Sequence, residues 1–206
     1  MIAPNLSARI DLPAGNANVR FEGVRVLSQE WYVLRQFELM FRRRDGSWNR
    51  QLREAYDRGD GAAILLYNLD RNTVILTRQF RLPAYLNGLE DGMLIETAAG
   101  LLDEMAPADC IRKETQEETG YVIGMPEQIH DLFMSPGSVT ERLHLFVAPY
   151  EPSDRTTAGG GNPAEGEDIE VLEIPFSEAL AMCGDGRIRD AKTVILIYHM
   201  RVRGMM

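Results

Sequence analysis

One stretch constrains this chain more than any other: a proline at position 107, a glycine at 120, and Glu114, Glu117 and Glu118 between them. Proline suits the first turn of a helix, where its missing N–H is not needed, and glycine past the last turn takes a left-handed conformation at little cost. The pair therefore brackets a helix from Pro107 to Thr119. Spacings of three and four put Glu114, Glu117 and Glu118 on one face of it. Like charges so placed destabilise a helix by roughly a few tenths of a kcal/mol per pair. Free solvation of the face relieves that repulsion. So does a bound divalent cation, for which carboxylate oxygens are hard ligands.

A chain of 206 residues can bury a full core, as one domain with an appendage or as two small lobes. Hydrophobic content of 45% and charged content of 26% are those of an ordinary globular protein. A net charge of -9 and a pI near 4.9 oppose polyanions, and Arg42-Arg43-Arg44 is too short a basic run to reverse that. Nucleic acid is not an expected partner. A small anionic substrate is compatible, because a few arginines and a metal ion set a local field against the global one.

Cys110 and Cys183 are too few for a disulfide framework, and a structural thiol is expected at Cys110. No run of eighteen apolar residues occurs and the N-terminus lacks the apolar centre of a secretory signal, so the expected setting is the reducing cytoplasm, with no membrane partner. His130, His144 and His199 have no Cys or His at ligand spacing, which argues against zinc.

Residues 1–19 mix Pro, Gly, Asn and Ala without periodicity and are expected to be a flexible N-terminus. Residues 20–57 alternate through "FEGVRVL", "WYVLRQFELMF" and "WNRQLREAY", with Asp45-Gly46 as a hairpin turn. That predicts a small antiparallel sheet, which needs the rest of the chain or a second subunit to be stable. Residues 58–206 read as an α+β domain. "AAILLYN" and "TVILTRQFR" are adjacent strands, "GMLIETAAG" is a third, and "ERLHLFVAPY" and "DIEVLEIPF" follow the acidic helix. Helices are predicted from Ser177 to Cys183 and from about Asp190 to Arg203, the latter turning Val194, Ile195, Ile197 and Tyr198 to the core. Gly159-Gly160-Gly161 is followed by no helix, so it reads as a mobile acidic loop and not as a phosphate cradle.

"ETAAGLLDEMAPADCIRKETQEETGY" resembles the Nudix box, a loop-helix-loop that binds magnesium and hydrolyses a nucleoside diphosphate linked to another group. Gly100, Glu114, Glu117, Glu118 and Gly120 match its pattern. Ala106 stands where the first glutamate belongs, Lys113 replaces the arginine, and the interval from Gly100 to Lys113 is one residue short. In the family those two residues brace the loop, so their replacement bears on loop geometry more than on the metal site. "RQFRLP", "AAGLLD", "MSPGSVTE", "AGGG", "EDIEVLE" and "IRDAKTV" narrow the similarity to the GDP-mannose pyrophosphatases, relatives of the ADP-ribose pyrophosphatases.

The resemblance implies a Nudix α/β/α sandwich with a mixed sheet behind the small N-terminal sheet, a magnesium cofactor with manganese as a substitute, and a homodimer that exchanges N-terminal sheets. It implies metal ligands at Glu114, Glu117, Glu118, Glu167 and the Ala99 carbonyl, with Glu141 as general base beside Glu117, Glu118 and Glu167 in catalysis. Substrate contacts are implied at Trp31, Arg53, Glu54, Arg78, Arg81, Gly100, Leu101, Glu141, Gly166 and Lys192. A guanidinium fork at Arg81 suits a phosphate, while Arg78 fits a structural ion pair equally well. Trp31 suits either a stacked base or a place in the core of the small sheet. The implied reaction is magnesium-dependent hydrolysis of GDP-mannose to GMP and mannose 1-phosphate. ADP-ribose or another nucleoside diphosphate sugar is the neighbouring alternative, because few contacts decide base and sugar. A non-catalytic nucleotide-sugar-binding regulatory module is the alternative of another class. A calcium-binding protein would need an oxygen-rich loop that the chain lacks.

Overall fold

Strand-forming residues in alternation build the N-terminal sheet: β1 (Val19–Gln29), β2 (Val33–Arg42) and β3 (Trp48–Asp57), antiparallel in the order β1-β2-β3. The computed structural model describes residues 15–206, so most of the expected flexible N-terminus, residues 1–14, lies outside the described residues. The β2–β3 turn has the predicted chemistry. Gly46 takes φ +85°, and the Asp45 carboxylate accepts from the Ser47 N–H (2.9 Å) and hydroxyl (2.6 Å). Residues 135–141 belong to the same unit: the Tyr56 N–H donates to Ser138 (2.8 Å) and the Thr140 N–H to Tyr56 (3.1 Å). Val33 is the only buried hydrophobic residue of this unit among the described residues.

The second unit, residues 60–134 and 142–206, holds the larger sheet. Its elements are β4 (Gly61–Asn68), β5 (Thr73–Phe80), the short α1 (Leu82–Leu86), β6 (Met93–Glu96), β7 (Ala98–Leu101), α2 (Pro107–Thr119), β8 (Glu127–Phe133), β9 (Arg142–Pro149), β10 (Glu170–Pro175), α3 (Phe176–Asp185) and α4 (Ala191–Val202). The order is β10-β5-β4-β9-β8, with β6 on β5 and β7 on β4; β4 and β9 run parallel and the other pairs antiparallel. A strand covered on both faces reads as a continuous apolar run, which is the pattern of β4. Ala63, Leu65, Leu76 and Leu145 turn to α3 and α4, meeting Phe176, Leu196 and Met200. Ala62, Ile64, Phe146 and Ala148 turn to the other face, meeting Ile111 of α2. The result is the predicted sandwich of helices around a mixed sheet.

Three local expectations need correction, and one strand is unexpected. "GMLIETAAG" is two strands and not one, because the Thr97 N–H leaves the ladder for the Thr193 hydroxyl (2.8 Å); β6 then pairs β5 and β7 pairs β4. In α4, Ile197 is buried and Val194 and Ile195 pack half-buried against the same core as expected, but Tyr198 is exposed, and the other fully buried residues are Thr193, Leu196 and Met200. A 3-10 turn, Pro163–Glu165, follows the three glycines, although at three residues it is no phosphate-binding helix. β8 carries a bulge between Gln128 and His130 and little apolar surface, so its alternation is hidden in the sequence.

Candidate active site around the acidic helix

The helix forms as its punctuation demands. Ala106 is the N-cap, Pro107 opens the first turn, and Gly120 closes α2 at φ +81° with its N–H on the Gln116 carbonyl (3.0 Å). The shortened loop before it has other braces than the family's glutamate and arginine. The Met105 N–H bonds to Leu102 (2.8 Å), the Leu102 N–H to Asp60 (3.0 Å), and the Cys110 thiol donates to the Leu101 carbonyl (3.2 Å). Burial pushes that thiol up to about 11, so Cys110 is the expected structural residue. Lys113 pairs instead with Glu117 (2.9 Å) and Glu114 (3.9 Å).

The glycine run packs on the far end of α2. The Gly160 N–H donates to the Glu118 carbonyl (2.9 Å), the Gly161 N–H to Glu117 (3.1 Å), and the Thr156 N–H to Gly120 (2.8 Å). A Cβ on Gly159 would collide with the Glu118–Thr119 backbone, so side chains are excluded there. This seam brings Glu167 to the acidic face, where one of its oxygens accepts from the Asn162 N–H (2.8 Å).

Glu118 is buried, and among the described residues the single hydrogen bond to its carboxylate comes from the Ala99 N–H (3.3 Å). Burial first, then Glu167 and Glu114, push its carboxyl up to about 8. Glu114 lies against Gly100, where any Cβ would land on its carboxyl group. Burial pushes it up to about 7; Lys113 opposes, and Glu117, Glu167 and Glu165 add to the rise. Glu118 has no bonded cation and Glu114 only the Lys113 ammonium at 3.9 Å, a crowding of acids that a hard dication would relieve, and every donor here is oxygen. Among the described residues no three His, Cys, Asp or Glu side chains stand close enough to form a finished metal cluster. Glu117 is on Lys113 and Glu167 on Asn162, so both would have to turn inward to join Glu114 and Glu118.

Beside the acidic face lies a cationic one. Arg81, just past β5, grips Glu96 with both arms, Nε to Oε1 at 2.8 Å and Nη2 to Oε2 at 2.9 Å. Lys192, in the first turn of α4, reaches Glu96 (2.9 Å) and Asp190 (2.9 Å). Asp190 also caps α4, accepting from the Thr193 N–H (3.0 Å) and hydroxyl (2.6 Å). The charge of Glu118 acts on Arg81, so the two faces adjoin. Sequence reasoning missed Glu96 and Asp190. A lone carboxylate inside the apolar "MLIETAAG" signals a buried charge that needs partners, and an aspartate directly before a helix signals a cap.

The other expected residues lie elsewhere. Arg78 is engaged by Asp91 (3.0 Å) and Glu170 (3.4 Å), its structural alternative. Gly166 closes the 3-10 turn at φ +83°. In the N-terminal unit Trp31 is 67% exposed, which removes the core alternative; Arg53 folds back on the Leu52 carbonyl (2.9 Å), and Glu54 faces Gln36. Glu141 forms an ion pair with Arg58, Nε to Oε1 at 3.5 Å.

A mixed sheet between helices, carrying a glycine-led loop and a helix with three glutamates, is the arrangement of a Nudix domain. The NUDIX domain family matches residues 57–195, and the chain belongs to the Nudix hydrolases. The family described as "GDP-mannose pyrophosphatase NudK N-terminal domain" matches residues 18–56. The chain is 57% identical over 180 residues to the GDP-mannose pyrophosphatase of Pectobacterium atrosepticum, covering 87% of this chain and 92% of that one. It is 54% identical over 182 residues to that of Klebsiella pneumoniae subsp. pneumoniae, covering 88% and 91%. The crystal structure of an ADP compounds hydrolase shares the fold, with a TM-score of 0.69 at 16% identity over 93% of this chain and 97% of that one.

Proposed function

We propose that the protein hydrolyses the diphosphate link of a nucleoside diphosphate sugar, GDP-mannose before ADP-ribose, giving GMP and mannose 1-phosphate, with magnesium as cofactor and manganese as a substitute. The observation that carries the reaction class is Glu118: a buried carboxylate beside Glu114 and Glu167 that the protein itself leaves without a bonded cation. The names borne by relatives at more than half identity support the substrate.

Glu114, Glu118 and the Ala99 carbonyl would hold the ion, and Glu117 and Glu167 would complete its surroundings. A bound dication would lower the pKa of an attacking water and neutralise phosphate oxygens. Arg81 and Lys192 grip the diphosphate, and the backbone of Gly100, Leu101 and Gly166 lines its path. Glu141 accepts the water's proton. Trp31, with Arg53 and Glu54, receives the base. The N-terminal sheet, with one buried hydrophobic residue of its own and with Val26, Leu27, Trp31 and Leu52 exposed, suits exchange between two subunits.

Release assays across GDP-mannose, ADP-ribose, UDP-glucose and ADP-glucose test the substrate. The expected result is highest kcat/KM for GDP-mannose; a preference above about tenfold for ADP-ribose overturns it, a margin that one or two lost polar contacts can produce. Binding without hydrolysis of any of the four, with magnesium or manganese, returns the chain to a binding module. A fully active monomer by light scattering removes the exchanged dimer.

A further inference from the structure

An anion sits at the centre of the cationic face. Glu96 is 1% exposed, and both of its oxygens are taken by cations: Arg81 on each and Lys192 on one. Its neighbour in sequence is fastened to the neighbour of Lys192 as well, since the Thr97 N–H donates to the Thr193 hydroxyl at 2.8 Å. Two adjacent residue pairs, 96–97 and 192–193, are thus joined twice, once by charge and once through the backbone. The end of β6 and the first turn of α4 are held at fixed spacing by those bonds.

Donor counting shows what remains for a ligand. Arg81 has five N–H bonds and commits one on Nε and one on Nη2 to Glu96, leaving the second on Nη2 and both on Nη1; Lys192 commits donors to Glu96 and Asp190, leaving its third hydrogen. Two cations face two carboxylates, so the cluster is neutral and stable before any substrate arrives. A site built for affinity alone would omit Glu96, because its charge subtracts from the attraction for an anion. What the carboxylate adds is order: a forked guanidinium held at both arms cannot rotate, and an ammonium held twice cannot swing.

We infer that Glu96 is a positioning residue of the hydrolysis, acting through Arg81 and Lys192: it gives up anion affinity to fix the two donors that meet the diphosphate. The inference rests on the reading above that those two side chains contact the diphosphate.

The experiment measures inorganic pyrophosphate binding by titration calorimetry alongside kcat for GDP-mannose, both expressed per binding-competent site. Glu96→Gln removes a negative charge at nearly constant volume. Its expected signature is pyrophosphate affinity equal to or up to about tenfold tighter than wild type, with kcat per site lower by about 10- to 100-fold, the range typical of removing a supporting hydrogen-bond partner. A purely structural role lowers the number of binding sites and the total activity together and leaves kcat per site unchanged. In a Lys192→Met background, Glu96→Gln is expected to cost less than about threefold more, since half of what it positions is gone. Should Glu96→Gln not fold, Glu96→Asp keeps the charge but withdraws it by a methylene; kcat per site is expected to fall at least about fivefold with affinity within about twofold. Full kcat per site in the variant, or pyrophosphate affinity weakened more than tenfold, overturns the role of Glu96 and leaves the reaction standing. A wild type that binds pyrophosphate and hydrolyses no nucleoside diphosphate sugar overturns the reaction itself.

Discussion

Glu96 and Glu118 are equally hidden, each at 1% exposure, and yet their carboxyls move in opposite directions. Burial pushes both upward. At Glu96 the Arg81 hydrogen bonds and the charges of Lys192 and Arg81 more than offset it, and the group ends below its ordinary value. At Glu118 the next influences are two further carboxylates, Glu167 and Glu114, and the group rises to about 8. Depth does not decide the charge of a buried acid; the sign of its neighbours does. Glu96 has its counter-ions built in, and Glu118 has none bonded to it.

The sharpest way to break this contrast is Glu118→Gln. If Glu118 holds the ion as proposed, turnover of GDP-mannose is expected to fall more than about 100-fold, because the activated water would go with it. Metal-free thermal stability should stay level or rise, because the cost of keeping a buried carboxyl protonated at neutral pH has gone. A clear drop in melting temperature in EDTA would show that Glu118 had a hidden partner.

A second test reads pH. The folded pKa of Glu118 lies above its unfolded value, so between about 4.5 and 8 the folded protein holds a proton that the unfolded chain has released. Its contribution to metal-free stability therefore declines as pH rises through that window. Glu96 has a folded pKa below its unfolded value, so its contribution is present above about 4.5 and is lost as pH falls through the folded pKa. Urea midpoints in EDTA from pH 5 to 8 should fall more steeply in wild type than in Glu118→Gln. Equal slopes would sink the assignment.

The smallest effect is expected at Arg78→Ala. Its two ion pairs are exposed, and such pairs contribute about 0–1 kcal/mol. KM should change less than about twofold, the outcome for a residue outside the diphosphate site; a tenfold rise would move Arg78 into it.

Local punctuation made much of the fold legible. Pro107, Gly120 and Asp45-Gly46 each govern the few residues around them, and β4 shows its double burial as an unbroken apolar run. What the sequence hides is pairing over distance. The strand break at Thr97 depends on Thr193, and the clamp on Glu96 depends on Arg81 and Lys192, which approach from two separate elements. Arg81 alone reads as a phosphate fork, and only the fold shows that two of its donors are already committed. The strap of residues 135–141 likewise joins the N-terminal sheet through backbone bonds at Tyr56, a link with no side-chain signal.

The backbone seam between the three glycines and the end of α2 has a consequence for anyone recombining this scaffold with its relatives. Because two amides of the glycine run finish the last turn of the helix, that turn and the loop form one inheritable block. Exchange either half alone and two carbonyls lose their donors; exchange residues 107–167 together and the match survives. Crossover points therefore belong before Pro107 or after Glu167, with variation in loop length confined to the stretch beyond Gly161.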